Sequence, residues 1–204
     1  MSQELKKDKI IIIDFGSQVT KLIARRVREY KVYSEVLNLK DLKKKDALID
    51  VKGIILSGGP STVIGNKYPN IPKEIFNLGI PILGICYGLQ LISKHFKGKV
   101  KANIKKREFG RAVLYKYKNS LLTKNFFRQN KCNVWMSHQD SVYKLPRGFT
   151  KIASTKESAM TIIENKKKIY MVFNFIQKLH IQKMEILSLK ILFSIFVKQK
   201  NSGN

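Results

Sequence analysis

Four consecutive isoleucines, Ile10 to Ile13, constrain the fold of this chain more than any other feature. A strand alternates its side chains between two faces, so an unbroken apolar run must be buried on both, as happens where a mostly parallel sheet carries helices on each side. Lys9 to Phe15 is therefore predicted as a buried strand. The segment Val19 to Glu29 changes period: Val19, Leu22, Ile23 and Val27 fall on one helical stripe, with Lys21, Arg25 and Arg28 off it, and Ser17 is expected to cap that helix. Ser34 to Leu37 reads as a second strand, Asp46 to Asp50 as connecting structure, Gly53 to Ser57 as a third strand and Lys73 to Leu78 as a short helix. The expected fold class is α/β, with a mostly parallel central sheet, helices on both faces and an antiparallel excursion.

The chemistry concentrates at Gly84-Ile85-Cys86-Tyr87-Gly88-Leu89-Gln90, between the apolar run Ile80 to Leu83 and the helically spaced Leu91 to Phe96. Glycines on both sides of Cys86 permit a tight turn, and the following helix directs its N-terminal dipole at the sulfur, which favours thiolate. The ordinary alternative is a small buried cysteine packing as a hydrophobe. The flanking glycines favour a nucleophile. Gly98 is expected to take the left-handed conformation that closes the helix. Further on, Glu108 to Tyr115 reads as a strand, and Thr150 to Ser154 with Ala159 to Glu164 as an antiparallel pair.

The Gly-Ile-Cys-Tyr-Gly-x-Gln stretch resembles the nucleophile motif of class I (triad) glutamine amidotransferases. The opening Ile12-Ile13-Asp14-Phe15-Gly16-Ser17-Gln18, with Leu22 to Glu29 and Tyr33-Ser34-Glu35, is similar to the glutaminase domain of GMP synthases. The resemblance runs from Asp8 to about Tyr170 and implies a flavodoxin-like domain over residues 9–170, after an N-terminal extension of residues 1–8. It implies glutamine hydrolysis to glutamate and ammonia through a glutamyl thioester on Cys86. Gly59, in Ser57-Gly58-Gly59-Pro60, and Tyr87 are implied as backbone donors to the oxyanion. Gly58, Gln90, Ser137, His138, Gln139 and Asp140 are implied around the substrate. His138 is read as substrate-proximal rather than as the base, and His95 as packing. The ammonia would pass to an ATP-pyrophosphatase synthetase domain or subunit that aminates XMP to GMP. ATP and Mg²⁺ belong to that part, for which this chain has no Ser-Gly-Gly-x-Asp-Ser phosphate loop; no cofactor or metal is expected here.

Composition narrows the alternatives. The formal net charge of +26 would ordinarily raise nucleic-acid binding. The lysines are instead spread along the chain in short runs such as Lys43 to Lys45 and Lys166 to Lys168, without interleaved aromatics, and AT-rich coding favours them, so solvated faces are expected and no nucleic-acid partner. No run of about 18 apolar residues could span a membrane, and residues 1–7 lack the apolar core of a signal peptide, so a cytoplasmic protein is expected. Cys86 and Cys132 are expected as free thiols, and no Cys-x-x-Cys pair or histidine cluster points to a metal.

One segment breaks the pattern. The family's general base and its carboxylate lie on a strand reading Ile-Tyr-Gly-Val-Gln-Phe-His-Pro-Glu, whereas Ile169-Tyr170 is followed here by Met171-Val172-Phe173-Asn174-Phe175-Ile176-Gln177. Back-translation from Met171 gives ATG GTN TTY AAY TTY ATH CAR AAR. Read from the third base, it becomes GGT NTT YAA YTT YAT HCA RAA, which permits Gly-Val-Gln-Phe-His-Pro-Glu throughout. Loss of one A from the codons for Lys166 to Lys168 shifts the frame in that sense. Residues 171–204 are accordingly expected to be an out-of-frame tail that leaves the sheet without a proper strand beside the elbow. Three other readings compete: a different class I glutaminase of the anthranilate or carbamoyl-phosphate type, a catalytically dead regulatory or interaction domain, and a basic nucleic-acid binder.

Overall fold

A computed structural model describes residues 8–44, 46–102, 108–120, 123, 126, 127, 129–138 and 140–174. In chain order they form β1 (Lys9–Ile13), α1 (Thr20–Glu29), β2 (Tyr33–Leu37), β3 (Val51–Leu56), β4 (Ile82–Ile85) and α2 (Tyr87–His95). These are followed by β5 (Lys99–Ala102), β6 (Glu108–Lys116), β7 (Lys131–His138), β8 (Asp140–Lys144), β9 (Thr150–Ser154), β10 (Ile162–Asn165) and β11 (Tyr170–Phe173). Nine strands make one sheet in the order β2-β1-β3-β4-β11-β10-β9-β6-β7, and β5 pairs with β8 in a separate ribbon. The half from β2 to β11 is parallel; from β11 onward every pairing is antiparallel.

The isoleucine run behaves as its pattern requires. Ile10 and Ile12 join the cluster containing Ile23, Ala24 and Val27 of α1, while Ile11 and Ile13 join the cluster containing Leu89, Leu91 and Ile92 of α2. All four isoleucines are fully buried: α1 covers one face of β1, and on the other face the cluster includes Leu42, Val63 and Ile75 as well as the α2 residues. The antiparallel half extends the α1-side core through Leu114, Val134, Met136 and Ile162.

Glycines let α2 approach the sheet. A Cβ on Gly88 would lie 2.5 Å from the Leu56 carbonyl oxygen, and one on Gly84 would lie 2.8 Å from both Ile92 Cδ1 and Val172 Cγ1. Helix and sheet therefore meet backbone to backbone, at a separation that alanine would prevent.

Three local expectations need correction. Ser17 does not cap α1: Val19 holds the N-cap position without a side-chain bond, and Ser17 Oγ accepts only from Val19 N–H. Asp14, at the end of β1, organises this turn instead, accepting from Gly16 N–H at 2.9 Å and from Thr20 Oγ1 at 2.8 Å through Oδ1. The left-handed residue closing α2 is Lys97 (φ 62°), while Gly98 donates its N–H to Ser93 O at 2.7 Å. Finally, the sheet does not lack a strand beside the elbow, because β11 pairs in parallel with β4 and its four residues are buried. Met171, Val172 and Phe173 are apolar, and apolar side chains on a pairable backbone suffice for a buried strand. The rest of that segment, residues 175–204, lies outside the described residues.

The close helix–sheet contact gives a direct test. Gly88→Ala should destabilise the fold by about 1–3 kcal/mol through overpacking against the Leu56 backbone, read as a lower urea midpoint with an unchanged m-value. An unchanged midpoint would contradict the contact.

Candidate active site

Cys86 is the single residue between the end of β4 and the start of α2. Its backbone sits at φ 48°, ψ −99°, a conformation that residues bearing a Cβ rarely adopt and that persists only when the surroundings impose it. Two hydrogen bonds do so: Cys86 N–H donates to Phe173 O at 2.7 Å on β11, and Cys86 O accepts from Gln90 N–H at 3.3 Å in the first turn of α2. The side chain is thereby delivered to the carboxyl edge of the parallel strands, at the N-terminus of a helix whose first N–H groups have no partner within the helix.

The loop after β3 comes up beside it. Ser57, fully buried, accepts from Phe15 N–H at 3.2 Å and donates to Gly58 O at 2.9 Å through its hydroxyl. A Cβ on Gly58 would lie 3.6 Å from Cys86 Cβ, and one on Gly59 would lie 2.4 Å from Phe15 O. Only glycine can occupy position 59 with its backbone pressed this way against the end of β1. The loop continues over α2, where Gln90 Oε1 accepts from Val63 N–H at 3.1 Å and Tyr87 donates its hydroxyl to Pro69 O. The Tyr87 ring packs edge-on against Phe15 with centroids 5.0 Å apart.

These elements enclose a cavity of about 260 Å³ whose lining includes Gly59, Cys86, Tyr87, Gln90 and Asp140. Five of the residues singled out in the sequence are thus brought together, with Gly58 next to them. Ser137 and His138 close β7, where Ser137 pairs with Phe109, another residue of the cavity wall; Gln139 lies outside the described residues. His95 packs as expected, stacked on Phe76 with centroids 4.0 Å apart. Burial, with Lys168, Lys73 and Lys97 nearby, holds its pKa below the usual histidine value.

Sequence reading missed Ser61, Thr62, Phe109 and Asn174 as wall residues. Ser61 and Thr62 could have been found as the continuation of the Gly-Gly-Pro loop. Asn174 carried no signal, since its position depends on β11 pairing beside the elbow.

The thiol differs from expectation. Burial pushes the Cys86 pKa up to about 12, so the thiolate is not favoured by this environment. The side chain belongs to the apolar core that includes Ile85 and Phe173, and its desolvation there is the cause of the rise. Cys132, half-buried on β7, is also raised by burial; both thiols are free. Among the described residues, no group of three or more His, Cys, Asp or Glu side chains could hold a metal ion, and no helix is long and apolar enough to cross a membrane.

A doubly wound sheet that presents a strained cysteine at a strand-to-helix elbow, beside a glycine loop at its carboxyl edge, defines a class of α/β proteins with a cysteine-centred pocket. Within that class the chain belongs to the class-I glutamine amidotransferase family, whose model matches residues 11–172. It is 43% identical over 171 residues to a glutamine-hydrolysing GMP synthase of Clostridium botulinum, covering 81% of this chain and 32% of that protein. It is 48% identical over 167 residues to one of Prochlorococcus marinus, covering 80% of this chain and 31% of that protein. The chain thus spans about a third of the length of these relatives. Its fold is similar to that of a protein identified as a GMP synthase subunit from Thermoplasma acidophilum, with a TM-score of 0.77, 24% identity and coverage of 95% and 96% of the two chains.

Because the folded thiol ionises near pH 12 and an unfolded one near about 8.5, two pH effects are expected. Alkylation of Cys86 should accelerate by about tenfold per pH unit through pH 9 without a plateau. Folding stability should fall as pH rises above the unfolded value, where only the unfolded state releases the thiol proton, and Cys86→Ala should remove that part of the loss. An alkylation plateau near neutral pH would show a depressed pKa instead.

Proposed function

We propose that this chain is the glutaminase part of a glutamine-hydrolysing GMP synthase system, with its own hydrolytic step impaired. The observation that carries the first half is the elbow cysteine in a cavity, with the Gly59 loop on one side and Gln90 and Asp140 within the same wall. The identity to curated GMP synthases and the Asp14-Phe15-Gly16-Ser17-Gln18 opening favour this member of the family over other glutaminases. In this reading Cys86 Sγ attacks the side-chain carboxamide carbon of glutamine, and the backbone N–H groups of Gly59 and Tyr87 receive the oxyanion. Collapse breaks the C–N bond, releases ammonia and leaves a glutamyl thioester, which water hydrolyses to glutamate. Gly58, Gln90, Ser137, His138, Gln139 and Asp140 hold the amino acid. The ammonia goes to a synthetase domain or subunit carrying the ATP and Mg²⁺ chemistry.

The impairment follows from what this step demands. A thiol with a pKa near 12 needs a base to give up its proton, and the leaving nitrogen needs an acid. The family pattern places histidine and glutamate where this chain has Phe175 and Gln177, both outside the described residues. Asn174 supports the view that residues 171–204 are read out of frame. It is 1% exposed, and its side-chain nitrogen and oxygen have no hydrogen-bond partner among the described residues. A buried, unpaired carboxamide is costly.

Glutamine hydrolysis by this chain should be slower than that of a frame-repaired chain by about 10²–10⁴, the usual worth of positioned acid–base help. Equal turnover of the two chains would overturn the impairment. Resequencing the codons for Lys166 to Tyr170 separates a genuine lesion from a miscounted A-tract. As an independent check on the cost of that carboxamide, Asn174→Leu, which changes the volume little, should raise the melting temperature.

A further inference from the structure

We propose that Lys94 is a positioning residue for this pocket: acting through Val63, it fixes the Gln90 carboxamide with its nitrogen turned toward the bound ligand. The proposal rests on the glutaminase reading and deepens it. The segment between β3 and the short helical turn at Lys73 has no strand or helix of its own, yet Gly59, Ser61 and Thr62 of the cavity wall come from it. Its geometry must be imposed from outside, and α2 imposes it. Tyr87, Gln90 and Lys94, spaced three and four residues apart, share one side of the helix. Tyr87 holds Pro69 O. Gln90 and Lys94 both hold Val63, which is 1% exposed: Gln90 Oε1 accepts from its N–H at 3.1 Å, and Lys94 Nζ donates to its carbonyl at 2.8 Å. The same ammonium reaches Gly65 O at 3.4 Å and lies 4.8 Å from the Tyr68 ring centroid.

The chemistry of the Val63 contact removes the usual ambiguity of a glutamine side chain. A backbone N–H can only donate, so the Gln90 atom facing it must be the oxygen. What Gln90 has left to offer the cavity is therefore its NH₂, a donor suited to a carboxylate or carbonyl oxygen of an amino-acid ligand. If Val63 moved, Gln90 could turn over and present an acceptor in its place. Lys94 prevents this by holding the other side of Val63. Its ammonium, with three donors, serves two carbonyls at once, which a hydroxyl or a single N–H could not do. Lys94 is itself exposed, so replacing it does not open the core.

The test uses a Cys86→Ala background, in which turnover cannot occur, with glutamine titrated calorimetrically and exchange of the Val63 amide hydrogen followed in parallel. Lys94→Met should weaken glutamine binding by about three- to tenfold, the scale of one partly exposed charge-assisted hydrogen bond, and accelerate Val63 exchange with little change in melting temperature. Lys94→Arg, which can still donate to two carbonyls, should recover most of both. Unchanged glutamine affinity in Lys94→Met, with or without faster Val63 exchange, would overturn the positioning role while leaving the glutaminase reading intact. No glutamine binding by the Cys86→Ala chain itself would overturn both.

Discussion

The site depends on how closely α2 lies against β3 and β4. Gly88 meets the Leu56 backbone and Gly84 meets Ile92 and Val172 at distances that leave no room for a methyl group. This contact sets the angle of the elbow, and the elbow sets the backbone of Cys86, which can hold a positive φ because β11 and the first turn of α2 bond it from both sides. The loop after β3 is in turn draped over α2 and fastened to its side chains. A looser helix would therefore misplace the cysteine and the facing backbone together, which gives the glycines a shared function.

The energetics of the pocket set this precision against solvation. Packing Cys86 into the core next to Ile85 and Phe173 makes it rigid but removes the water that would support a thiolate. The elbow geometry therefore orients the thiol while its burial favours the protonated form. Reactivity has to come from a proton acceptor nearby, and for that reason the residues after Phe173 matter so much. Phe173 and Asn174, consecutive in the chain, differ in what burial does to them. The apolar residue maintains the strand, while the polar one is buried and finds no side-chain partner among the described residues.

Much of the architecture was legible in the sequence because burial on two faces leaves a one-dimensional trace. The isoleucine run named a strand buried on both faces, and the glycines around Cys86 named the elbow. Gly59 and Pro60 of the loop after β3 and the positions Gln90 and Asp140 were found through the family pattern and do meet at one cavity. What escaped was whatever depends on pairing between distant segments. Asn174 reaches the pocket only because β11 joins β4. The same pairing made an apparently mismatched tail supply a sound strand, since a sheet selects for apolar, hydrogen-bonding backbone and is indifferent to the particular residues. The thiol pKa was misjudged because a helix N-terminus can be seen in a sequence, whereas the depth of burial cannot.

The bond from Cys86 N–H to Phe173 O also has a temporal side. Strands β1 to β4 are consecutive in the chain and can pair with one another as they emerge, but the neighbour that completes β4 is the last described strand, reached only after the whole antiparallel half has been made. During synthesis on the ribosome the elbow must wait for that strand, with one edge of β4 open. Closing so long a loop is entropically slow, so the nascent chain passes through a state in which the apolar edge beside its cysteine is available to chaperones or to another strand. The residue that defines the pocket is thus among the last to be locked in place.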